Sequence, residues 1–389
     1  MRLCIVSFKP CWQNSAGEWM SYGGFPLQMS AIASLFDRAT LVVVRSAPHD
    51  GALPLPADTE VVGLRSPAGA DTVRKLSVIL QLFSYLRVIR SHVRDADVVH
   101  VPVPGDISFL GMLVALACRK KLIVRYGSSW VVTAQTTFMQ RVTRGCMRLF
   151  AGGRNVMLAT GVGDGPPAEG INWIFSTALT ASELAAITVV RERDGIDYRR
   201  LVYVGRVSPE KGVTVLLRAL RQLRDEGLTP MPRLAVLGDG PERESAERLT
   251  EQLQLTDIVR FAGHLNRADL FAELEQADMC VQPSLTEGFS KAWLDAMAHG
   301  LPVLSSRVGA AGSVIGANGE RGWLVPPGEV GALAAALRQA LTETRDWPAL
   351  RARCRAFVEG RTLDAWAQEI GTRCAAQWGW QLTDGKLRA

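Results

Sequence analysis

The stretch that decides the fold covers residues 279–304 and reads MCVQPSLTEGFSKAWLDAMAHGLPVL. It opens with a short apolar strand that ends at Gln282, and it continues through a loop into helix-forming residues from Ser290 to His299. Gly300 predicts the end of this helix, and Pro302 precedes the next apolar strand. A strand, a crossover helix and a second strand predict two parallel neighbours in an α/β sheet.

The same alternation of short β-branched runs and longer helical stretches extends in both directions. Continuous apolar strands of this kind are typical of parallel sheets that helices cover on both faces. Strands are predicted at Leu3–Ser7, Leu41–Val44, Glu60–Leu64, Val98–Val101, Leu122–Tyr126, Leu201–Val204, Leu234–Leu237, Val259–Ala262, Met279–Gln282, Val303–Ser306 and Trp323–Val325. The predicted fold class is α/β, with two Rossmann-like, doubly wound domains.

The domain boundary is predicted within residues 177–200, which lack a clear apolar strand and include a run of charged residues. An N-terminal domain then covers residues 1–180, and a C-terminal domain covers residues 195–360. Ligands of open parallel sheets bind at the carboxyl ends of the strands, where the strand order reverses. We therefore expect two sheets that face each other across a cleft holding the active site.

The composition predicts a folded cytoplasmic protein. Of the 389 residues, 48% are hydrophobic and 21% are charged, which is enough apolar surface for two cores. The seven cysteines are scattered and include no C-x-x-C pair, as expected of reduced thiols. No secretory signal is recognised, and the apolar run Ile107–Cys118 is shorter than the roughly 20 residues of a membrane-spanning helix. We expect a cytoplasmic protein, either soluble or peripheral on the inner face of the plasma membrane.

Positive charge is concentrated in the first half. Residues 1–180 contain 18 Lys and Arg against 11 Asp and Glu, whereas the remainder contains 26 against 27. Two predicted helices carry arginines at helical spacing, namely Arg87, Arg90 and Arg94 on one and Arg141, Arg144 and Arg148 on the other. The pattern predicts a face that rests on an anionic membrane surface; the alternative is a solvated basic surface without a partner.

Glu287 and the three residues that follow it are the strongest candidates for a ligand site. Gly288, Phe289 and Ser290 place backbone N–H groups at the predicted helix start, where the helix dipole favours an anion. Asp295 follows Glu287 by eight residues, a little over two helical turns, so the two carboxylates can point the same way. A nucleotide sugar, with hydroxyls on both sides of its phosphates, suits this arrangement. The alternative is that Glu287 caps the helix and Asp295 is a solvated helix residue.

A second candidate is the sequence YVGRVSPEKG, residues 203–212. Gly205 ends a predicted strand, and Arg206 and Lys211 follow it in a compact basic loop. An arginine fork and a lysine point charge suit a pyrophosphate. The alternative is an ordinary surface turn. His264 follows another predicted strand and is either a ligand contact or a loop residue without a role.

Both motifs resemble those of a known family. The first is similar to the E-x7-E signature of retaining glycosyltransferases of the GT-B fold, in the family 4-like group that includes sucrose synthases and bacterial mannosyltransferases. The resemblance implies that Glu287 contacts hydroxyls of the donor sugar and that Asp295, here one methylene shorter than glutamate, binds the ribose. The second motif is similar to G-R-x4-K-G, in which Arg206 and Lys211 stabilise the departing diphosphate. The loop with His264 would lie near the nucleobase.

The resemblance is only general in the first half. The strand Asp97–Pro102 is similar to a family strand that often ends in histidine, but Pro102 occupies that position. Asp106, just beyond, is a candidate group for an acceptor hydroxyl or else an N-cap. Gly24 precedes a helix and either permits close backbone approach to the donor phosphate or to the acceptor, or forms a plain turn. Residues 361–389 would form a terminal helix that returns to the first domain.

The implied function is retaining transfer of a hexose from a nucleoside diphosphate sugar to a hydroxyl of a glycan or lipid-linked acceptor. The resemblance points to bacterial cell-surface or exopolysaccharide synthesis. No cofactor, metal or nucleic acid is expected, and the D-x-D at Asp95–Asp97 precedes a strand and is not interpreted as a metal site. The alternatives are a sugar-nucleotide epimerase and a non-catalytic protein that binds sugar nucleotides or glycans.

Overall fold

The computed structural model describes residues 1–48, 52–69, 71–130, 132, 136–163, 165–187, 199–343 and 346–389. The chain divides into two compact units. Unit 1 consists of Met1–Ala178 together with Leu363–Ala389, and unit 2 consists of Leu179–Thr362. The boundary therefore falls within the predicted 177–200 segment, of which residues 188–198 lie outside the described part.

The described residues of unit 1 begin with nine strands and five helices. The strands are β1 (Arg2–Gln13), β2 (Trp19–Tyr22), β3 (Arg38–Arg45), β4 (Ala52–Pro54), β5 (Thr59–Leu64), β6 (Val98–Val103), β7 (Lys121–Tyr126), β8 (Asn155–Thr160) and β9 (Ile171–Ile174). The helices are α1 (Phe25–Ala33), α2 (Asp71–Leu80), α3 (Leu82–Asp95), α4 (Asp106–Ala117) and α5 (Phe138–Leu149).

The sheet of unit 1 is parallel except at one corner. Strand β1 lies at its centre, with β3 and then β5 on one side and β6, β7, β8 and β9 in turn on the other. The short strands β2 and β4 add an antiparallel corner at the carboxyl end of β1. Because the order reverses between β1 and β6, the carboxyl ends of these two strands form the switch point of the sheet.

Alternate residues of β1 enter the cores on the two faces of this sheet, as the two-residue period of a strand requires. Cys4 and Val6 lie in the core beneath α3, α4 and α5. Leu3 and Ile5 lie in the opposite core, beneath α1 and a helix from the end of the chain. Both faces are therefore apolar, which explains the continuous hydrophobic runs of the sequence.

Unit 2 contains six strands and eight α-helices within its described residues. In chain order they are α6 (Ala181–Ala186), β10 (Arg200–Val204), α7 (Val213–Asp225), β11 (Arg233–Leu237), α8 (Arg243–Gln252), β12 (Val259–Gly263), α9 (Arg267–Gln276), β13 (Met279–Gln282), α10 (Lys291–Ala298), β14 (Val303–Ser306), α11 (Ala311–Ile315), β15 (Gly322–Val325), α12 (Val330–Thr342) and α13 (Trp347–Val358). The chain then returns to unit 1 as α14 (Leu363–Trp378) and a hairpin, β16 (Gln381–Thr383) and β17 (Lys386–Arg388).

The sheet of unit 2 is wholly parallel, in the order β12-β11-β10-β13-β14-β15. This is the order of a Rossmann fold, and its switch point lies between β10 and β13. The predicted α/β class with two doubly wound domains is confirmed. None of the described helices is both long enough and apolar enough to cross a bilayer.

Every predicted strand lies within an observed one, but the sequence analysis missed β2, β4, β8, β9 and the terminal hairpin of β16 and β17. Strands β2, β4, β16 and β17 are only three or four residues long, and β8 and β9 hold only a few apolar residues between glycine-rich turns, so none stood out as a run. The sequence also predicts one helical stretch near Val73–Val93, and the structure divides it at Gln81 into α2 and α3.

Candidate functional site

The two sequence motifs meet at the switch point of unit 2. One loop follows β10 and the other follows β13, and these strands are neighbours in the sheet. The loops are also joined directly, since Leu285 N–H donates to the carbonyl of Glu210 at 2.8 Å. Tertiary structure therefore unites residues that are about 75 positions apart, as expected for a ligand site of a doubly wound sheet.

Gly212 allows the close approach of these loops. It has φ of +69°, which residues with a side chain rarely adopt, and a Cβ at this position would lie 2.2 Å from the carbonyl oxygen of Pro283. Gly309 plays the same part for the other side of the β13 loop, because a Cβ there would lie 2.2 Å from the carbonyl oxygen of Glu287. Backbone packing thus fixes the position of Glu287.

Lys211 and Glu287 form an ion pair at this junction. Lys211 Nζ donates to Glu287 Oε2, and Glu287 Oε1 accepts from the Gly288 amide at 3.2 Å. The two side chains are only 22% and 15% exposed, so water screens the pair less than it screens a surface pair. The site therefore presents an ammonium group and a carboxylate side by side.

Helix α10 begins immediately beyond this pair. Ser290 is its N-cap residue, but the hydroxyl makes no capping hydrogen bond, so the first amides of the helix are not satisfied by their own cap. Phe289 is buried and packs on Trp293, and the Gly288 carbonyl accepts from Ala310 N–H at 2.9 Å. These contacts hold the predicted anion-binding segment in place.

Asp295 occupies a different environment from Glu287. Because α10 starts at Lys291, Glu287 lies outside the helix, and the helical-spacing argument for two aligned carboxylates is wrong. Asp295 is only 6% exposed, so it is not a solvated helix residue. Its Oδ1 accepts from Arg267 Nη2 at 3.2 Å.

Arg267 is a residue that the sequence analysis missed. It pairs with Asp295 and also with Glu183, whose Oε2 lies 3.1 Å from Arg267 Nη2, and it stacks on the ring of Phe271 at 4.5 Å. Burial alone would lower the pKa of Arg267, but the two carboxylates outweigh burial and the pKa is raised. In turn the pKa of Glu183 is lowered, because Arg267 and the Thr180 cap offset the effect of its burial.

One sequence signal could have located part of this network. Thr180 and Glu183 form a capping box, the T-x-x-E pattern of a helix start, at the beginning of α6. The pattern predicts the helix but not the partner of Glu183, since Arg267 is 84 residues away.

Arg206 and His264 lie on exposed loops of unit 2. Arg206 follows Gly205 after β10, and its carbonyl accepts from the hydroxyl of Tyr203 at 2.7 Å. Within the described part of the chain, neither the Arg206 nor the His264 side chain has a hydrogen-bond partner. Both side chains are therefore available to a ligand, as the sequence analysis expected for donor contacts.

In unit 1, Asp106 is the first residue of α4 and lies at the carboxyl end of β6. Gly105, not Asp106, is the N-cap residue, so the interpretation of Asp106 as the cap is wrong by one position. Asp106 Oδ2 lies 2.9 Å from Arg74 Nη2, and Oδ1 accepts from the Ile107 amide at 2.8 Å. Its side chain remains 27% exposed.

Gly24 is the N-cap residue of α1, and its carbonyl accepts from Gln28 N–H at 3.1 Å. Its φ of −78° suits any residue, whereas Gly23 has φ of +67°. The requirement for glycine in this turn therefore lies at Gly23.

Two further expectations for unit 1 are wrong. The sequence also predicts that residues 125–130 line the acceptor cleft, but Arg125 is buried, donates to Gln28 Oε1 at 3.2 Å, and lies over the ring of Trp366 at 5.4 Å. Arg144 is 2% exposed and donates to the Trp130 carbonyl at 2.7 Å, so it does not share a solvent face with Arg141 and Arg148. Helical spacing alone predicts that all three arginines lie on the surface, but Arg144 is buried against the rest of unit 1.

Residues 190–359 match the family model described as "Glycosyl transferases group 1". A glycogen synthase of Mycobacterium tuberculosis is 34% identical over 213 residues, which are 51% of this chain. The chain spans about half the length of that relative (50%). A GDP-mannose-dependent alpha-(1-6)-phosphatidylinositol monomannoside mannosyltransferase of Mycolicibacterium smegmatis is 27% identical over 307 residues, 72% of this chain and 75% of the relative.

Among solved structures, HepE of Anabaena in complex with UDP-glucose superposes with a TM-score of 0.67 at 17% identity, covering 97% of this chain and 100% of that one. At this identity the likeness establishes the fold alone. The region with the Lys211–Glu287 pair and the Arg267–Asp295 pair is thus the region that the family model matches. The chain thus contains a region, residues 190–359, that matches the glycosyl transferases group 1 family model, and it shares its fold with a solved protein crystallised with UDP-glucose.

Proposed function

We propose that this protein is a retaining glycosyltransferase that moves a hexose from a nucleoside diphosphate sugar to an acceptor hydroxyl. The observation that carries the proposal is the Lys211–Glu287 ion pair beside the start of α10, at the switch point of unit 2. An ammonium, a helix N-terminus and a carboxylate at one point match a phosphate joined to a polyhydroxyl group.

The surroundings of each residue in the proposed nucleotide-sugar site indicate its role. Lys211 and the exposed Arg206 stabilise the diphosphate, together with amides of Gly288, Phe289 and Ser290. Glu287, freed from Lys211 as the phosphate takes its place, accepts hydrogen bonds from the sugar hydroxyls. Gly205 leaves room for the diphosphate beside β10.

The base and ribose are assigned to the other side of the switch point. Asp295 accepts from a ribose hydroxyl through the oxygen atom that is not paired with Arg267, and His264 contacts the base. The donors named for related proteins differ, since one relative is GDP-mannose-dependent and one structural neighbour holds UDP-glucose. A thermal-shift panel of UDP, GDP, ADP and their sugars identifies the base for this chain.

The proposed reaction needs no resident cofactor or metal. The bond between the anomeric carbon and the diphosphate oxygen breaks with its electron pair on the diphosphate. The acceptor oxygen bonds to the same face of the anomeric carbon, and the acceptor proton passes to the departing phosphate. Arg206 and Lys211 compensate the negative charge that develops on the leaving group.

The acceptor is assigned to unit 1, where Asp106 lies at the switch point of that sheet and Gly24 lies in a neighbouring turn. We propose a glycan or lipid-linked acceptor used in bacterial cell-surface or exopolysaccharide synthesis. The site of action would be cytoplasmic, at the inner face of an anionic membrane. Exposed apolar residues on α2 and α3, followed by exposed Arg87, Arg90 and Arg94, support a membrane contact.

Incubation with donors labelled in the sugar separates this function from its alternatives. A transferase releases nucleoside diphosphate and transfers label only when an acceptor is present. An epimerase changes the sugar without an acceptor, and a binding protein does neither. Absence of transfer with any donor that the thermal-shift panel shows to bind would contradict the proposal.

A further inference from the structure

A cavity of about 820 Å³ opens in unit 1 at the switch point of its sheet. Phe8 and Pro10 of β1 form one wall, and Gly105 and Asp106, just after β6, form another. Cavities that hold small organic molecules measure roughly 300–1,000 Å³, so this one is large enough for a ligand of that kind.

The rest of the lining is mainly hydrocarbon. Val44 of β3, Val78 and Ile79 of α2, and Met139 of α5 all face the cavity. The hydroxyl-bearing side chains of Tyr22, Ser46 and Ser66 also line the cavity, but the hydroxyl groups of a sugar held against the hydrocarbon walls would have no hydrogen-bond partners there, which is unfavourable. The walls therefore favour an apolar body over a fully hydrophilic one.

The charged side chains of this lining are Arg74 and Asp106, and both lie at one place. Arg74 and Asp106 pair there, with Arg74 Nε 3.0 Å and Nη2 2.9 Å from Asp106 Oδ2. These side chains remain 36% and 27% exposed, so the carboxylate is open to a further donor. A ligand hydroxyl can thus donate to Asp106 while the remainder of the ligand contacts hydrocarbon.

The apolar lining continues to the outside of the molecule. Ile79 lines the cavity and is also 64% exposed, and nearby Leu76 and Phe83 are exposed as well. A hydrocarbon chain longer than the cavity therefore has an apolar surface to follow when it leaves.

We propose that this cavity binds the hydrocarbon part of an amphiphilic acceptor whose hydroxyl lies at Asp106. The inference rests on the proposed function, because it names the class of acceptor that the transferase uses. Binding of the acceptor itself needs neither donor nor transfer and can be measured separately.

The probe is octyl β-D-glucopyranoside, added to the full chain as monomers below its micelle concentration. Methyl β-D-glucopyranoside, which has the same head group and no chain, is the reference ligand. Isothermal titration should show at least tenfold tighter binding of the octyl glycoside. Equal affinities for the two glycosides would overturn the proposal.

Two matched pairs of exposed residues test the location. Ile79 and Met139 line the cavity, whereas their neighbours Leu80 and Phe138 are exposed and do not line it. Ile79→Asp and Met139→Asp should each weaken octyl glucoside binding at least tenfold. Leu80→Asp and Phe138→Asp should leave it within twofold of the parent.

Thermal unfolding should confirm that all four variants fold, which we expect because all four positions are exposed. Equal loss in both members of a pair would place the glycoside on the outer surface and overturn the proposal. If the octyl glycoside binds as proposed but no sugar is ever transferred from a donor, the proposed function fails while the cavity assignment stands.

Discussion

The guanidinium of Arg267 lies 3.2 Å from the carboxylate of Asp295, and the same guanidinium pairs with Glu183. These three residues come from α9, α10 and α6, so one side chain links three helices of unit 2. Asp295 is the acid for which ribose binding is proposed. Its orientation therefore depends on a residue that does not belong to either sequence motif.

We predict that Arg267→Ala destabilises the protein strongly. The change leaves two partly buried carboxylates without their partner, which costs about 3 kcal/mol of unfolding free energy. Urea denaturation gives the value. The control is Arg260→Ala, which removes an arginine 56% exposed in its pair with Glu273 and should cost less than about 1 kcal/mol. Equal losses in the two variants would show that the Arg267 network is not important for stability.

The two acids of the β13 segment should differ in their kinetic effects. Glu287→Ala should mainly lower kcat, because Glu287 is assigned to the reacting sugar, whereas Asp295→Ala should mainly raise the donor KM. Loss of a charged hydrogen bond costs about 1.5–3 kcal/mol, or roughly 10- to 150-fold in kcat/KM. Steady-state kinetics with the donor found by thermal shift provides the measurement. Near-normal kinetics in Glu287→Ala, with folding intact, would remove Glu287 from the donor site.

Transfer activity should persist in excess EDTA. Arg206 and Lys211 are assigned the charge compensation that a divalent cation supplies in other transferases. Initial rates before and after chelation and gel filtration should agree within twofold. Complete loss of activity that Mg²⁺ or Mn²⁺ restores would contradict this prediction.

Acid should destabilise unit 1 through His100. The side chain is fully buried in the sheet, and burial together with the nearby Arg125 lowers its pKa to about 3. The folded state therefore keeps His100 neutral, while the unfolded chain takes up a proton below pH 6.5. Stability contributed by this group is present above pH 6.5 and is lost as the pH falls towards 3.

Between pH 7 and pH 5 the loss from His100 alone is about 2 kcal/mol. Urea unfolding at both pH values measures it, and His100→Gln, which does not titrate, serves as the comparison. The variant should lose less stability than the parent over this interval. Identical slopes in the two proteins would show that His100 does not govern the acid response.

Binding to anionic vesicles should depend on the exposed arginines of α3. Flotation with vesicles of phosphatidylglycerol and phosphatidylcholine should show binding that weakens steeply with salt. It should disappear in the Arg87→Glu, Arg90→Glu, Arg94→Glu triple variant. Arg144 is excluded from this test because it is buried, and its replacement would disturb the fold.

A control variant changes the net charge equally at exposed sites of unit 2, at Arg233, Arg248 and Arg260. It should bind vesicles as the parent does. Equal loss in both variants would mean that net charge, and no particular face, governs the interaction. Failure of the parent to bind at low salt would point to an acceptor that is not in a membrane.

The sequence by itself determined the eleven predicted parallel strands and the loops that carry the site. Continuous apolar runs such as Val303–Ser306 can be satisfied only between two covering layers, so they predict parallel strands. Gly212 turns the backbone and Gly300 follows the end of a helix, and the sequence predicts both because the requirement for glycine is local. Lys211 and Glu287 each follow a predicted strand, and the Rossmann order brings the carboxyl ends of those strands together.

Tertiary structure alone decided which partner each charged side chain found. Glu183 and Arg267 are 84 residues apart, and no periodicity relates them. Arg141 and Arg144 belong to the same helix, but of the two only Arg144 is buried, and it donates a hydrogen bond to the Trp130 carbonyl. Helical spacing fixes the relative directions of side chains, whereas burial depends on what packs against the helix, and that is set by long-range contacts. The cavity beside Asp106 arises for the same reason, since strands, loops and helices far apart in sequence supply its walls.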